Sequence, residues 1–295
     1  MKTTSNTLEH SETKFERTTV DGVSIFYREA GAKNAPVMLL LHGFPSSSHQ
    51  FRNLIPKLAS HYHVIAPDMP GFGFTDVPAE RNYRYSFDNL AKTMQAFLEK
   101  IGVKKFSVYI FDYGAPVGLR LAVANPQNVE AIVSQNGNAY EEGLGEFWAP
   151  LKKYWQDPSK ENREALRAFT AFEATKWQYT VGVSEPDSVA PESYTLDAAL
   201  MQRPGNADIQ LDLFLDYGNN LPLYPSFQAY FKKTQVPMLA IWGKNDPIFT
   251  PPGAEAFKRD NQNVVVELID TGHFALETHC DHIAERILAT FKDRR

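Results

Sequence analysis

The chain has 295 residues, of which 43% are hydrophobic, and a formal net charge of −5. That is enough apolar material for one large domain, or for a domain carrying an insertion. A mildly acidic chain without a basic run has no electrostatic reason to bind nucleic acid or an anionic membrane, and a single cysteine, Cys280, excludes an intrachain disulfide framework and a Cys-based zinc cluster.

Residues 1–14 are polar and charged and lack the apolar core of a signal peptide. The longest strongly apolar run, Val37–Leu41, is far too short to cross a bilayer. A soluble, cytoplasmic protein is the expectation. Lys14–Val20 and 23–28 flank Asp21-Gly22, a hairpin signal. Val37–Leu41 is continuously apolar, as in a strand buried on both faces of a parallel sheet, and 63–66 is a second such run. A helix follows over 86–102: Ser86 caps it, and Phe87, Leu90, Ala91, Met94, Phe97 and Leu98 recur at helical spacing. Then come a strand at Phe106–Phe111, a short apolar helix at 115–124 and a strand at 129–134.

From about 138 to 233 the pattern changes. Aromatics, prolines and charges dominate, helical stretches such as 160–172 occur, and no buried strand run appears. Strands resume at 236–242 and Val264–Ile269, and a helix at 281–291 closes the chain. The fold class is therefore α/β: a mostly parallel central sheet with helices on both faces. Residues 1–138 and 234–295 form its core, and 139–233 form an inserted helical cap. Such an insertion sits above the carboxyl ends of the strands, where α/β folds bind ligands.

Four segments carry chemistry. In Phe106–Phe111 followed by Asp112-Tyr113-Gly114, a strand runs into Asp-x-Gly and then a helix of small residues. That is the layout of a nucleophile elbow, with Asp112 where serine is usual. A carboxylate so placed can attack carbon and form an ester. An ordinary helix-capping aspartate is the competing reading. His42-Gly43-Phe44-Pro45 ends the buried strand at 37–41, where the N–H groups of Phe44 and Tyr113 suit an oxyanion hole. His42 reads as a structural hydrogen bonder, and with Pro45 it borders the substrate. His273, on the glycine turn after the last strand, is the candidate base. His49, His61, His279 and His282 read as surface histidines. Asp246 follows a strand and precedes His273, and would hold its imidazole in one tautomer. Each segment alone has a plain structural reading. All four at strand ends, in the order nucleophile, acid, histidine, make a joint coincidence improbable. The Gly-x-Gly at 71–73 lacks the third glycine and the helix of a dinucleotide site, and no metal-ligand spacing is present.

On these motifs the sequence resembles the α/β-hydrolase superfamily over nearly its whole length. His-Gly-Phe-Pro at 42–45 with aspartate at the elbow resembles the branch of epoxide hydrolases and haloalkane or fluoroacetate dehalogenases. The resemblance implies Asp112 as nucleophile, His273 as base, Asp246 as its partner, Phe44 and Tyr113 as oxyanion hole, a helical cap and no cofactor. Two positions depart from the branch pattern. Tyr113 stands where tryptophan is common, which weakens a dehalogenase reading because that indole often helps hold the halide. Ile110 stands where glycine is usual, two residues before the nucleophile, and strains the turn unless the neighbouring helix makes room.

Epoxide hydrolases resemble one another in placing two cap tyrosines over the epoxide oxygen. Asn220-Leu221-Pro222-Leu223-Tyr224 resembles the site of the later one, which assigns Tyr224, and Tyr154 is the candidate for the earlier. A half-buried aromatic is the competing reading for each. The expected activity is epoxide hydrolysis to a diol. Dehalogenation is the alternative, and an esterase or a non-catalytic ligand-binding fold ranks lower. The expected partner is a small-molecule substrate, with no nucleic acid or membrane, and a homodimer is compatible with this reading.

Overall fold

The computed structural model describes residues 12–292; most of the polar N-terminal stretch read above lies outside them. Eight strands form one sheet in the order β1-β2-β4-β3-β5-β6-β7-β8. They are β1 (Lys14–Val20), β2 (Val23–Ala30), β3 (Val37–Leu41), β4 (His63–Pro67), β5 (Phe106–Phe111), β6 (Val129–Gln135), β7 (Met238–Gly243) and β8 (Val264–Ile269). β1 pairs antiparallel with β2, and β2 with β4. Every later pairing is parallel. The β1–β2 turn is made by Asp21 (φ 48°) and Gly22 (φ 78°), the two left-handed residues that a tight Asp-Gly hairpin requires.

The apolar strand runs are continuous because the sheet is covered on both sides. On β3 and β5, Leu39, Leu41, Val108 and Ile110 enter one core, while Met38, Leu40, Tyr109 and Phe111 enter the other. The helix Phe87–Lys100 covers the first face through Phe87, Leu90, Met94 and Phe97, and the Ser86 hydroxyl accepts from the Asn89 N–H to cap it. The closing helix, Leu276–Thr290, covers the second face through Ile283 and Ile287. Each such side chain, fully buried, stabilises the fold by roughly 1.5–3 kcal/mol.

Between β6 and β7 the chain leaves the sheet and forms helices, with one isolated bridge from Leu144 to Phe249. Here the structure differs from the sequence reading over 160–172. The helix Lys160–Ala165 tightens into a 3-10 turn at Leu166–Thr170 and stops at the extended residue Ala171. A new helix, Phe172–Thr180, then begins. The break lets Phe169 turn inward to stack on Phe147 and meet Phe214 edge-on. The closing helix also starts earlier than expected, at Leu276, and is kinked at His279. Among the described residues no helix is long and apolar enough to cross a membrane.

Room for Ile110 comes from the helix that follows β5, Gly114–Ala124. A Cβ at Gly118 would lie 2.6 Å from Ile110 Cγ2. Alanine favours a helix interior by ~1 kcal/mol over glycine. Even so, Gly118→Ala is expected to destabilise by a net ~1–2 kcal/mol through overpacking, read as a lower urea midpoint. Ile110→Val in the same chain should recover part of the loss, and strictly additive effects would show that the two side chains do not compete for space.

Candidate active site

Asp112 follows the last residue of β5 with φ 46°. It is not the cap of the following helix: Tyr113 holds that position. The left-handed backbone instead turns the carboxylate sideways toward the end of β3. Gly43 makes this approach feasible, since a Cβ there would sit 2.3 Å from the Asp112 side chain. The Phe44 N–H donates to Asp112 Oδ1 at 2.6 Å, and the Tyr113 N–H donates to the same carboxylate. Burial raises the Asp112 pKa to about 6, although the His273 charge and the two N–H donors pull it down.

His273 lies on the loop after β8 and is fully buried, with its ring against Phe111 and Phe274. Its Nδ1 is 2.7 Å from Asp246 Oδ2, and its Nε2 is 4.0 Å from Asp112 Oδ2. The Asp246 contact assigns the proton to Nδ1, which leaves the Nε2 lone pair beside Asp112 with no hydrogen-bond partner among the described residues. Burial lowers the imidazole pKa, but the Asp246 charge and hydrogen bond, with Asp112, outweigh it and the net direction is upward.

Asp246 is held in turn. Its Oδ1 accepts from the Ile248 N–H at 2.7 Å and its Oδ2 from Asn136 Nδ2 at 2.7 Å. Asn136, at the end of β6 with φ 47°, also accepts the Gly243 N–H at 2.9 Å, and Gln135 donates to the His273 carbonyl at 2.9 Å. Gln135 and Asn136 went unremarked in the sequence. The signal was there: a polar run, Ser134 to Asn138, directly after a buried strand.

Above Asp112 lies a cavity of about 430 Å³. Phe44, Tyr113, Trp148, Phe169 and Phe214 make much of its wall, and Asp112, Glu146 and Gln178 are polar groups on it. Asp112, His273, Asp246, Phe44 and Tyr113 thus converge at one place, while four other candidates do not line the cavity. His42 has both ring nitrogens at backbone atoms, Nδ1 at Gly43 O and Nε2 accepting the Met69 N–H, so it holds two loops together. Pro45 is buried beside it. The Tyr154 hydroxyl accepts from Arg163. The Tyr224 hydroxyl meets Asn138 Nδ2 at 3.3 Å and Tyr217. Tyr217, which the sequence reading did not single out, packs its ring on Trp148 at 4.5 Å and on Tyr113 at 5.8 Å. Burial pushes its phenol pKa well up, and the Asp112 charge adds to the shift. Among the described residues no group of three or more His, Cys, Asp or Glu is arranged to hold a metal ion.

The model of the alpha/beta hydrolase fold family matches residues 36–279, a span that contains every one of these groups. The chain belongs to that family. A Saccharomyces cerevisiae relative named Uncharacterized hydrolase YNR064C is 51% identical over 277 residues, covering 92% of this chain and 95% of its own length. A haloalkane dehalogenase of Bradyrhizobium diazoefficiens is 26% identical, covering 94% of this chain and 93% of its own. Epoxide hydrolase 3 of Mus musculus is 26% identical, covering 92% of this chain and 75% of its own. This alpha/beta hydrolase is therefore a hydrolase, and these two 26%-identical relatives carry names from two chemistries.

An acid whose folded pKa lies above its unfolded value weakens the fold once ionised. For Asp112 the interval runs from 3.8 to about 6, so stability falls as pH rises through that window. Asp112→Asn removes the effect. It should be more stable than the parent by roughly 3 kcal/mol at pH 8, with the advantage gone near pH 4. Denaturant melts at both pH values test this; an equal difference at both would mean that the charge is not its source.

Proposed function

We propose that this hydrolase opens epoxides to vicinal diols through a covalent ester on Asp112, with residues 139–233 acting as its cap. The observation that carries the proposal is the buried carboxylate 4.0 Å from a histidine whose Nε2 lone pair is unengaged. An Asp112 oxygen attacks an epoxide carbon, the carbon–oxygen bond breaks, and the alkoxide takes a proton. His273 then removes a proton from water, and the hydroxide adds to the ester carbonyl carbon. The Phe44 and Tyr113 N–H groups hold the resulting oxyanion. Collapse breaks the ester bond, the departing alkoxide takes the proton of the new carboxylic acid to complete the diol, and the carboxylate returns with one oxygen drawn from water; the imidazolium proton restores the acid that protonated the first alkoxide. Asp246 stabilises the imidazolium meanwhile. The aspartate is a poor choice for an esterase, because acyl transfer to it would give an anhydride.

The leaving group decides between epoxide and halide. A halide needs N–H donors in a dry pocket. Of the two indoles on the cavity wall, Trp148 is committed to the Ile248 carbonyl and Trp177 is not, and the latter is 40% exposed at the surface rather than held in a dry pocket. An alkoxide needs an acid, and the buried Tyr217–Tyr224 pair supplies phenols that stay protonated at neutral pH. Tyr217 is the proton donor in this proposal, since it packs on Tyr113 and feels the Asp112 charge. Tyr224 holds its hydroxyl, and Asn138 Nδ2 in turn donates to Tyr224 at 3.3 Å.

Asp112→Asn is expected to abolish diol formation, with mass spectrometry used to exclude deamidation. His273→Gln should accumulate the ester, seen as a protein mass increase equal to the substrate. Tyr217→Phe should lower kcat on styrene oxide by about 100-fold, the usual scale of general acid catalysis, while Tyr224→Phe costs about 10-fold or less. Equal losses on styrene oxide and on 1-bromohexane in Tyr217→Phe would remove the phenol from proton donation.

A further inference from the structure

The reacting end of the cavity is accounted for by Asp112 and the two N–H donors. The rest of its wall is mostly carbon, and Glu146 and Gln178 interrupt it. Gln178 is 5% exposed, yet its carboxamide makes no hydrogen bond to any described residue. It has two donors and an acceptor that a protein interior rarely leaves unmatched. It opens into the cavity, so its partner is whatever occupies that space.

The carrying helix, Phe172–Thr180, is pinned next to Gln178. Tyr179 stacks on Phe274 at 3.8 Å, donates to Asp197 and meets the Ser46 hydroxyl at 3.2 Å. Just beyond the helix, Gly182 O accepts from Asn245 Nδ2 at 2.9 Å. The amide is thereby presented from a backbone tied to the loops that carry Phe44 and His273, which is what a preorganised binding group needs. The ligand's charge is set by the surroundings. No lysine or arginine lines the cavity, and Glu146 does. A substrate carboxylate would face Asp112 and Glu146 without a counter-ion, an arrangement that like-charge repulsion opposes.

We propose that Gln178 is a specificity-determining residue that binds a neutral oxygen function of the substrate, an ether or alcohol, lying a few bonds from the attacked carbon. This rests on Asp112 as the nucleophile of the proposed function. The substrate class is then glycidyl ethers and related oxygenated electrophiles rather than plain hydrocarbon epoxides or haloacids. The carboxamide NH₂ donates to that oxygen, and a methylene in its place leaves the amide unmatched.

Two isosteric pairs test this, each differing by one ether oxygen against CH₂. One is phenyl glycidyl ether and 4-phenyl-1,2-epoxybutane, and the other is 2-phenoxyethyl bromide and 3-phenylpropyl bromide. The wild-type protein should favour the ether of the reacting pair by ~10-fold or more in kcat/KM. Gln178→Leu and Gln178→Met should each abolish that preference while turning over the methylene member within about threefold of wild type. Equal kcat/KM for ether and methylene in the wild type overturns the proposal whether or not the variants fold. A preference kept by both variants overturns the assignment to Gln178. If the ether preference appears only with the bromides and no diol forms, Gln178 stands and the epoxide reading falls. Turnover of neither pair overturns both.

Discussion

A carboxylate buried where two strands end is the constraint on which the rest of this molecule depends. Burial alone drives Asp112 toward its neutral form. What keeps the charge attainable is geometric: a left-handed residue at the end of β5 and a glycine at 43 let the carboxylate reach the Phe44 N–H at 2.6 Å. Any side chain at 43 would occupy that space. In the proposed mechanism the N–H donors that hold the ground-state carboxylate also hold the ester oxyanion, so one pair of backbone groups serves both states. The cost falls on stability, as expected where a site is organised for chemistry rather than for folding.

The helices between β6 and β7 are tied to the loops at the sheet's edge. Tyr179 and Asp197 reach down to Ser46, two residues beyond Phe44, and Ser46 is tied back to Gly43 through its N–H at 3.0 Å. On the other side Gly182 meets Asn245, next to Asp246. The insertion is thus fastened to the loops that carry the oxyanion donor and the acid. Its position and the geometry of the site are mechanically one problem. Burial raises the Asp197 carboxyl to about 7, so the fastening contains a carboxyl whose ordinary charge is suppressed by the same desolvation that acts on Asp112.

The sheet, its strand limits and the four strand-end groups were legible because each leaves a local mark. Val37–Leu41 and Phe106–Phe111 are apolar without a break because both faces are covered. The Asp21-Gly22 turn and the Ser86 cap follow from backbone chemistry. Gly118 shows how a departure is resolved out of sequence view: the bulk that Ile110 adds is removed one turn into the next helix. The insertion was less legible. Its six longer helices pack through aromatics on several sides, so periodicity does not say which tyrosine faces inward. Tyr217 and Tyr224 are seven residues apart in chain number and hydrogen-bonded in space. Tyr224, chosen from its neighbourhood, is buried against Tyr217 and away from the cavity wall. Asn136 escaped because its value lies in contacts with residues 107 and 110 positions away.

The same accounting of donors bears on the proposed choice between an epoxide and a halide. In a cavity walled by carbon, what leaves is decided by which N–H and O–H groups remain uncommitted. Three of the four indoles give their N–H groups to backbone carbonyls, which leaves Trp177 and the Gln178 amide as the uncommitted side-chain N–H groups on the cavity wall among the described residues. The Tyr217 ring stands against Trp148 and Tyr113, and its proton is shared with another phenol rather than with a carbonyl. A phenol pair is a reversible partner: when one hydroxyl turns to an alkoxide, the other can turn to replace it as donor. An indole bound to a backbone carbonyl has no such second arrangement without breaking the contact that places it. The proposed oxygen leaving group rests on this asymmetry.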